Sequence, residues 1–203
     1  MRRGTQHLTP FLHLKFASMS EGSTYTEAEL IARCVKGDRV AQRMLYERYS
    51  SVMYPVCVRY LGREDAKDVL QEGFLTVFEK IGTYKGEGSF EGWMRKIFVN
   101  ASLMQIRRSD ALRHAEDIDE TPESGGSLDY GVLEQISSRE IMDQVATLPP
   151  GLRSVFNLFV LDGYSHAEVG AMLGITEQSS RSQVSRARSL LQEKIKKLYE
   201  RKK

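Results

Sequence analysis

The 203-residue sequence has only two cysteines and no long run of apolar side chains. Cys34 and Cys57 stand far apart, without the C-x-x-C spacing of a metal or redox site, and both lie among apolar residues. We therefore expect buried thiols in a reducing cytoplasm rather than a disulfide. No apolar run approaches the roughly 20 residues that cross a bilayer, so we expect no membrane insertion by the chain itself.

Signatures of catalysis are also missing from the sequence. None of the four histidines stands with a carboxylate and a nucleophile at a recognisable spacing. The sequence has no phosphate-binding loop, no set of zinc ligands and no metal-binding carboxylate cluster, so it predicts neither an enzyme nor a cofactor. His166 is interpreted as a residue of a first helical turn.

The net charge of +2 hides an uneven distribution along the chain. Residues 115–140 hold eight acidic residues and one basic residue, whereas residues 26–114 and 141–203 each have an excess of basic residues. Residues 115–135 also contain proline, glycine and serine without lysine or arginine, a composition typical of a flexible linker. Two basic units joined by an acidic segment suggest two modules that act on one polyanion.

Apolar residues recur at helical spacing through both basic units, and no segment shows a convincing strand pattern. The expected fold class is therefore all-α, with two small helical domains joined by a flexible acidic linker. Residues 148–151, with two prolines and a glycine, are expected to break the helical pattern of the second domain. The predicted helices cover residues 26–61 with an interruption at 37–38, then 65–81, 90–108, 136–147 and 152–161.

Residues 1–25 are expected to be a disordered or misannotated N-terminal extension. The apolar stretch at residues 11–16 is broken by His13 and Lys15, which argues against a secretory signal. Met19 could equally be the natural start of the protein.

Residues 165–191 carry the most informative motif of the chain. Ser165 and Glu168 form a capping-box pair, which predicts the start of a helix. That helix is expected to end at Gly174, and Thr176 can cap a second helix after a short turn. The pattern is that of a helix-turn-helix, whose second helix enters the major groove of DNA.

The second helix of this motif has two different faces. Small or apolar residues on one face are expected to pack against the first helix of the motif; they are Ser180, Val184, Ala187 and Leu191. The opposite face carries side chains that bond to base edges or phosphates. A solvated helix with a basic end is the alternative, but capping, turn length and face chemistry agree on the first interpretation. The predicted DNA-binding residues are Gln178, Arg181, Ser182, Ser185, Arg186 and Arg188, and the positive charge continues at Lys194, Lys196, Lys197, Arg201, Lys202 and Lys203.

Two further patterns lie in the first domain. Asp68, Gln71 and Glu72 share one helix face, which by itself is typical of a solvated surface. Aromatic and basic residues then surround a glycine-rich loop, as in proteins that stack unpaired bases on rings and bind phosphates with cations. The alternative for Phe90 and Trp93 is a place in the core. The members of this second pattern are Tyr84, Lys85, Phe90, Trp93, Arg95, Lys96, Arg107 and Arg108.

Two blocks of the sequence resemble the extracytoplasmic-function (ECF) sigma factors of the sigma-70 family. DAKDVLQEGF at residues 65–74 and YKGEGSFEGWMRKI from residue 84, followed by Asn100, resemble their region 2. Residues 148–188 resemble their region 4. The two blocks stand in the expected order on either side of a linker, which makes the resemblance specific.

The resemblance implies a sigma factor that binds core RNA polymerase and promoter DNA. The clamp helices of the polymerase would contact Asp68, Gln71 and Glu72, and a flipped base would lie against the loop at residues 82–90. The residues implied for the downstream element and melting are Tyr84, Ser89, Phe90, Trp93, Ile97, Asn100, Arg107 and Arg108. Those implied for the upstream element are Gln178, Arg181, Ser182, Ser185, Arg186 and Arg188.

The resemblance also implies a division of the chain and a cellular setting. Residues 26–114 would form the region 2 domain, 115–135 a linker near the RNA exit path, and 136–203 the region 4 domain. The protein would be cytoplasmic and a monomer when free, and an anti-sigma factor could wedge between its domains. The alternative function is a helix-turn-helix regulator outside the polymerase, but the sequence offers no clear dimerisation stripe or ligand pocket.

Overall fold

The computed structural model describes residues 25–108 and 137–200, which form two groups of helices. Every regular element within these ranges is helical, which confirms the all-α prediction. The predicted N-terminal extension, apart from Tyr25, and the predicted acidic linker lie outside the described ranges, as do the last three basic residues. Tyr25 packs against the core of the first domain, so the expectation of a disordered extension does not hold at this residue.

Residues 25–108 form the first helical domain. Its elements are α1 (Glu27–Val35), α2 (Arg39–Leu61), α3 (Ala66–Lys80), a 3-10 turn (Ile81–Thr83) and α4 (Phe90–Arg108). The predicted interruption separates α1 from α2, where the Asp38 carboxylate accepts hydrogen bonds from the first backbone N–H groups of α2. Pro55 lies inside α2 without ending it.

Helices α2, α3 and α4 pack on one another around an aromatic seam. Phe74 of α3 meets Phe98 of α4 edge to face, with ring centroids 5.2 Å apart, and both side chains are buried. Gly73 allows this approach, because a Cβ atom there would lie 2.2 Å from the Phe98 ring. The seam leaves the opposite faces of α3 and α4 for other contacts.

Both cysteines are buried in this core as free thiols, which confirms the expectation from sequence. Burial raises the pKa of Cys34 and of Cys57 to about 11. The reactive thiolate is therefore scarce at neutral pH.

Residues 137–200 form the second helical domain. Its elements are α5 (Ser138–Ala146), α6 (Pro150–Phe156), a π-helical turn (Asn157–Leu161), α7 (His166–Leu173) and α8 (Glu177–Glu200). The predicted break at 148–151 is shorter than expected, because Pro150 and Gly151 already belong to α6. Proline suits this first helical position, where its missing N–H group would have no partner within the helix.

Helices α7 and α8 form the predicted helix-turn-helix. Ser165 and Glu168 make a complete capping box at the start of α7. Gly174 ends α7 in the left-handed conformation, with φ of 73°. The Thr176 hydroxyl accepts a hydrogen bond from the backbone N–H of Ser179 at 3.0 Å and caps α8.

Helix α8 packs on two partners rather than one. Val184 belongs to the same buried cluster as Val169 of α7, but Ala187 and Leu191 contact a second cluster built from α5 and α6. The expectation that all four small or apolar residues contact α7 is therefore wrong. The reason is length, because α8 has 24 residues and α7 only 8.

The two domains share a buried apolar cluster. Val155, Leu158 and Val169 of the second domain belong to the cluster that contains the core of the first domain. Polar contacts cross the same boundary, among them a hydrogen bond from the Asn157 side chain to the Arg59 carbonyl oxygen at 2.9 Å. The structure therefore holds the domains in contact.

The tight turn between α7 and α8 should make the protein's stability sensitive to a substitution at Gly170. A Cβ atom on Gly170 would lie 2.8 Å from the carbonyl oxygen of Ile175. Gly170→Ala should lower the free energy of unfolding by about 1–3 kcal/mol, because a backbone atom cannot rotate away as a side chain can. Urea denaturation followed by circular dichroism measures this change.

Gly82→Ala is the matched control for the added methyl group. Nothing lies within 4 Å of the corresponding Cβ position, and Gly82 does not have a positive φ. Its free energy of unfolding should change by less than about 1 kcal/mol. Equal stability of the two variants would contradict the tight turn.

Candidate nucleic-acid interface

The outer face of α3 carries the predicted polar triplet. Asp68, Gln71 and Glu72 are all exposed. Leu75 is also 59% exposed and lies one turn further along the same face. Sequence reasoning missed Leu75, because an apolar residue at helical spacing predicts a core position. The guanidinium of Arg108 lies 3.8 Å from the Glu72 carboxylate, so the end of α4 borders this face.

The glycine-rich loop before α4 is closed by a hydrogen bond. The Tyr84 hydroxyl donates to the carbonyl oxygen of Gly88 at 2.8 Å. Gly86 and Gly88 have φ of 78° and 75°, a conformation that residues with a side chain rarely adopt. Ser89 accepts a hydrogen bond from the backbone N–H of Gly92 at 3.1 Å and so caps α4.

Three aromatic rings lie beneath this loop. Phe90 stacks on Trp93 with centroids 5.5 Å apart and meets Tyr84 edge to face at 5.1 Å. Tyr84 and Trp93 are half-buried, but Phe90 is 0% exposed. The prediction that Phe90 contacts DNA is therefore wrong, because core packing encloses its ring. Phe90 instead supports the two rings that remain reachable.

Helix α4 places the other downstream candidates on one stripe. Trp93, Ile97 and Asn100 follow at intervals of four and three residues and therefore share a face. Ile97 is half-buried and Asn100 is exposed. Arg107 lies two turns beyond Asn100 on the same side and is exposed. Arg108 stands apart from this stripe, beside the α3 face.

Helix α8 presents most of its predicted DNA-binding side chains to solvent. Arg181 forms an ion pair with Glu177 one turn earlier, and both side chains are exposed. Such surface pairs contribute only about 0.3–0.5 kcal/mol, so a base or phosphate can displace Glu177. The Ser182 hydroxyl donates to the Gln178 carbonyl oxygen at 3.1 Å. The exposed members are Gln178, Arg181, Ser182, Ser185 and Arg188, whereas Arg186 is half-buried.

An aromatic stack supports α8 from the side of α7. The His166 ring stacks on Phe159, with centroids 3.9 Å apart, and its Nδ1 lies 3.0 Å from the buried Ser180 hydroxyl. The Arg188 guanidinium lies over the Phe159 ring at 5.9 Å. Burial and then the charge of Arg181 lower the pKa of His166, so its ring is neutral near pH 7. Sequence reasoning placed His166 in the first turn of α7, but no spacing signal links it to Phe159.

The described residues offer polar and aromatic surfaces for contacts with DNA and protein. Within residues 25–108 and 137–200, no group of three or more His, Cys, Asp or Glu side chains is arranged to hold a metal ion. No helix in these ranges combines the length and the apolar character needed to span a bilayer.

Comparisons with known proteins agree with the two-domain arrangement. The Sigma-70 region 2 family matches residues 45–112, and the Sigma-70, region 4 family matches residues 138–191. The ECF RNA polymerase sigma-E factors of Haemophilus influenzae and Escherichia coli K12 are each 29% identical to this chain. These alignments cover 84% and 87% of this chain, and 95% and 97% of the relatives. The chain belongs to the sigma-70 family.

Two solved structures were also compared with this ECF sigma factor. The sigma factor RpoE in complex with the anti-sigma factor NepR from Bartonella quintana has a TM-score of 0.47 at 19% identity, covering 76% of this chain and 96% of that chain. CnrH in complex with the cytosolic domain of CnrY has a TM-score of 0.42 at 21% identity, covering 80% and 92%.

Family membership establishes the function expected from the sequence. The chain is a sigma factor that binds core RNA polymerase and directs promoter recognition and transcription initiation. A helix-turn-helix regulator outside the polymerase is not better supported.

The role of Arg181 and Arg186 of α8 in base recognition can be tested by substitution. If Arg181 bonds guanine through both of its terminal nitrogens, Arg181→Ala should weaken binding by about 1–3 kcal/mol at one base pair and relax the preference there. Affinities for a set of upstream-element duplexes with single base substitutions measure this, and Arg186→Ala is tested in the same way.

Lys196→Ala is the control for a contact to phosphate. Lys196 is exposed further along α8, and its loss should weaken binding to all the duplexes about equally. An unchanged base preference for both Arg181→Ala and Arg186→Ala would rule out base reading by these arginines.

Proposed function

We propose that this sigma factor divides its contacts between three separate surfaces. The α3 face binds core polymerase, the loop and stripe of α4 hold an extruded promoter base, and α8 reads the upstream element. Residues 26–114 then act as region 2, residues 136–203 as region 4, and residues 115–135 as the linker. The observation that supports this division is that each surface is the exposed side of a helix whose other side is buried.

The α3 face suits a protein partner. It combines two carboxylates, an amide and the exposed side chain of Leu75, and so offers ionic, hydrogen-bonding and apolar contacts together. The triplet of Asp68, Gln71 and Glu72 also leaves the aromatic seam of the core undisturbed. A partner with basic and apolar groups, such as the clamp helices of polymerase, would complement it.

The surface around the glycine-rich loop suits a single unpaired base. The rings of Tyr84 and Trp93 are 5.8 Å apart and half-buried, so each retains an accessible part. The Asn100 side chain has both a donor and an acceptor for the edge of a base. Extruding a base from a duplex costs a few kcal/mol, and contacts with these groups would offset it.

The surface of α8 suits double-stranded DNA. Arginine, glutamine and serine side chains stand on the exposed face of the second helix of a helix-turn-helix, the helix that enters the major groove. Further lysines at 194, 196 and 197 extend the positive charge along α8 and would contact phosphates.

The protein acts in the cytoplasm, without catalysis or a cofactor of its own, and lends promoter specificity to the polymerase. It is a monomer when free. Control by an anti-sigma factor that wedges between the two domains is a further prediction from the family.

Run-off transcription with purified core polymerase tests the proposed function directly. The protein should produce specific transcripts that core polymerase alone does not make. The double variant Gln71→Ala and Glu72→Lys should fold normally but bind core polymerase at least about tenfold more weakly, because it loses a contact and reverses a charge. Fluorescence titration with core polymerase measures this affinity.

Glu64→Lys is the matched control, because it makes the same charge change at an exposed position before the start of α3. It should bind core polymerase like the wild type. Wild-type affinity in the double variant would remove the α3 face from the proposal. A protein that never supports run-off transcription but binds the upstream duplex would favour the regulator instead.

Asn100→Ala tests the surface for the extruded base. It should impair promoter opening on duplex templates without weakening duplex binding through α8. A template melted in advance should partly restore opening, because base extrusion then needs less energy. Permanganate reactivity of promoter thymines reports opening on both templates.

Tyr84→Ala should behave like Asn100→Ala, and Lys67→Ala, exposed on α3, is the control. Normal opening of duplex promoters by both Asn100→Ala and Tyr84→Ala would disprove the role of this surface in melting.

A further inference from the structure

A histidine at the start of α7 bonds to the inner face of α8. His166 is the first residue of α7, and its Nδ1 lies 3.0 Å from the hydroxyl oxygen of Ser180. Ser180 is 0% exposed, and His166 is the only hydrogen-bond partner of its hydroxyl among residues 25–108 and 137–200. A buried hydroxyl without a partner is unfavourable, because no water replaces the lost bond. The pair is therefore a polar link between the two helices of the helix-turn-helix.

The neutral ring of His166 sets the direction of this hydrogen bond. A neutral imidazole has one nitrogen that accepts a hydrogen bond and one that carries a hydrogen. The buried hydroxyl of Ser180 needs an acceptor for its hydrogen, so it donates to Nδ1, and the ring hydrogen lies on Nε2. A protonated ring carries hydrogen on both nitrogens and no longer accepts this bond. The link therefore belongs to the neutral form of His166.

The same ring reaches a second point of α8 through Phe159. The rings of His166 and Phe159 stack with an angle of 13° between their planes, and the Arg188 guanidinium lies 5.9 Å from the centroid of the Phe159 ring. Ser180 and Arg188 are eight residues apart in one helix, which corresponds to about 12 Å along its axis. Two contacts at this separation fix both the rotation and the tilt of α8 against α7.

These two points lie beside predicted DNA-binding side chains. Arg181 follows Ser180 directly in α8, Arg188 is itself a member of the predicted set, and both arginines are exposed. A rotation of α8 against α7 would move both guanidinium groups with the helix. Groups that bind a specific partner must be held within about 0.5 Å of their productive positions, so a small rotation is enough to weaken base reading.

We propose that His166 is a positioning residue for base reading by α8. Its ring accepts the hydrogen bond from Ser180 and stacks on Phe159, and these two contacts fix the rotation of α8. That rotation sets the direction in which Arg181 and Arg188 enter the major groove, so His166 acts through them and does not itself need to touch DNA. The inference rests on the proposed function of α8 as the reader of the upstream element, whereas the link between the helices is a property of the free protein.

Base preference is the measurement that separates positioning from folding. It is the ratio of the dissociation constants of the full chain for the upstream-element duplex and for the same duplex with single base substitutions. A smaller folded fraction or a lost phosphate contact weakens binding to all these duplexes about equally. Such effects leave the ratio unchanged, whereas misplaced arginines reduce it.

Two substitutions break the link from opposite sides. His166→Phe keeps a ring for the stack on Phe159 but removes the acceptor nitrogen, and Ser180→Ala removes the hydroxyl. Each should reduce the base preference about fivefold, which equals the lower end, about 1 kcal/mol, of the discrimination by a bidentate contact. The double variant should lose no more than either single variant, because both changes remove the same bond.

Ser154→Ala is the matched control for the loss of a buried hydroxyl. Ser154 is also 0% exposed and lies in the same domain, but its hydroxyl donates to the carbonyl oxygen of Pro150 within α6 at 2.8 Å. It makes no link between α7 and α8. Ser154→Ala should therefore leave the base preference unchanged.

The pH dependence of the base preference tests the ring itself. Protonation removes the acceptor and places a cation beside Arg181 and Arg188 of α8, with Glu177 as the opposing charge and the uncharged Phe159 ring on the π-helical turn. These surroundings lower the pKa of the ring, so the folded arrangement is favoured as pH rises and disfavoured in acid. The wild-type preference should decrease between about pH 7.5 and about pH 5, below the usual pKa of histidine. His166→Phe should show no such decrease.

The link is also measured without DNA. NMR titration of the free protein gives the pKa of His166, and Ser180→Ala should raise this pKa, because the hydroxyl no longer stabilises the neutral ring. An unchanged pKa of His166 in Ser180→Ala would show that the link does not form.

Circular dichroism establishes that each variant is folded at each pH, and Ser180→Ala serves if His166→Phe is not folded. An unchanged base preference in the folded variants overturns the positioning role. Losses that multiply in the double variant, or the same pH dependence in the wild type and in His166→Phe, overturn it as well. A wild-type protein without any base preference would instead refute the proposed function of α8, and the inference would fail with it.

Discussion

The close approach of α3 and α4 at Gly73 and Phe98 is the contact on which the first domain depends. There is no room for a side chain at position 73, so the backbone of α3 lies almost against the Phe98 ring of α4. The seam uses the inner faces of both helices, which leaves Asp68 and its neighbours exposed on α3 and Asn100 exposed on α4. A single packing contact thus positions the proposed polymerase-binding face and the proposed DNA-binding face relative to each other.

Local signals made most of the fold predictable. Capping residues such as Ser165 and Asp38 act over two or three positions, and apolar spacing reveals which side of a helix is buried, so helix limits were found within one or two residues. The start of α6 at Pro150 was missed because proline both ends helices and begins them. The second partner of α8 was missed because spacing shows that Ala187 is buried but not what covers it.

The candidate site, like the fold, was predictable where the signal is local and was missed where it depends on packing between distant residues. Exposure of Arg181 and Asn100 follows from helical periodicity, and the structure agrees. Phe90 was misassigned because an aromatic residue beside glycines looks the same in the sequence whether its ring is buried in the core or exposed to solvent. The contact of Arg59 with Asp162 joins residues about a hundred positions apart in different domains, and no local pattern encodes such a pair. Leu75 was missed because an apolar residue at helical spacing is expected in the core, whereas this side chain lies on an exposed surface.

The closed loop between Tyr84 and Gly88 has a consequence for the selectivity of the proposed base capture. Ordering a flexible residue costs about 1–2 kcal/mol of conformational entropy, and a loop that orders only upon binding would lose that much at each position. Here the Tyr84 hydroxyl and two left-handed glycines fix the loop during folding, before any nucleic acid arrives. An extruded base that enters as proposed would meet a preformed rim, so its fit would depend on shape. A preformed rim would discriminate between bases where a mobile one would adapt to each of them.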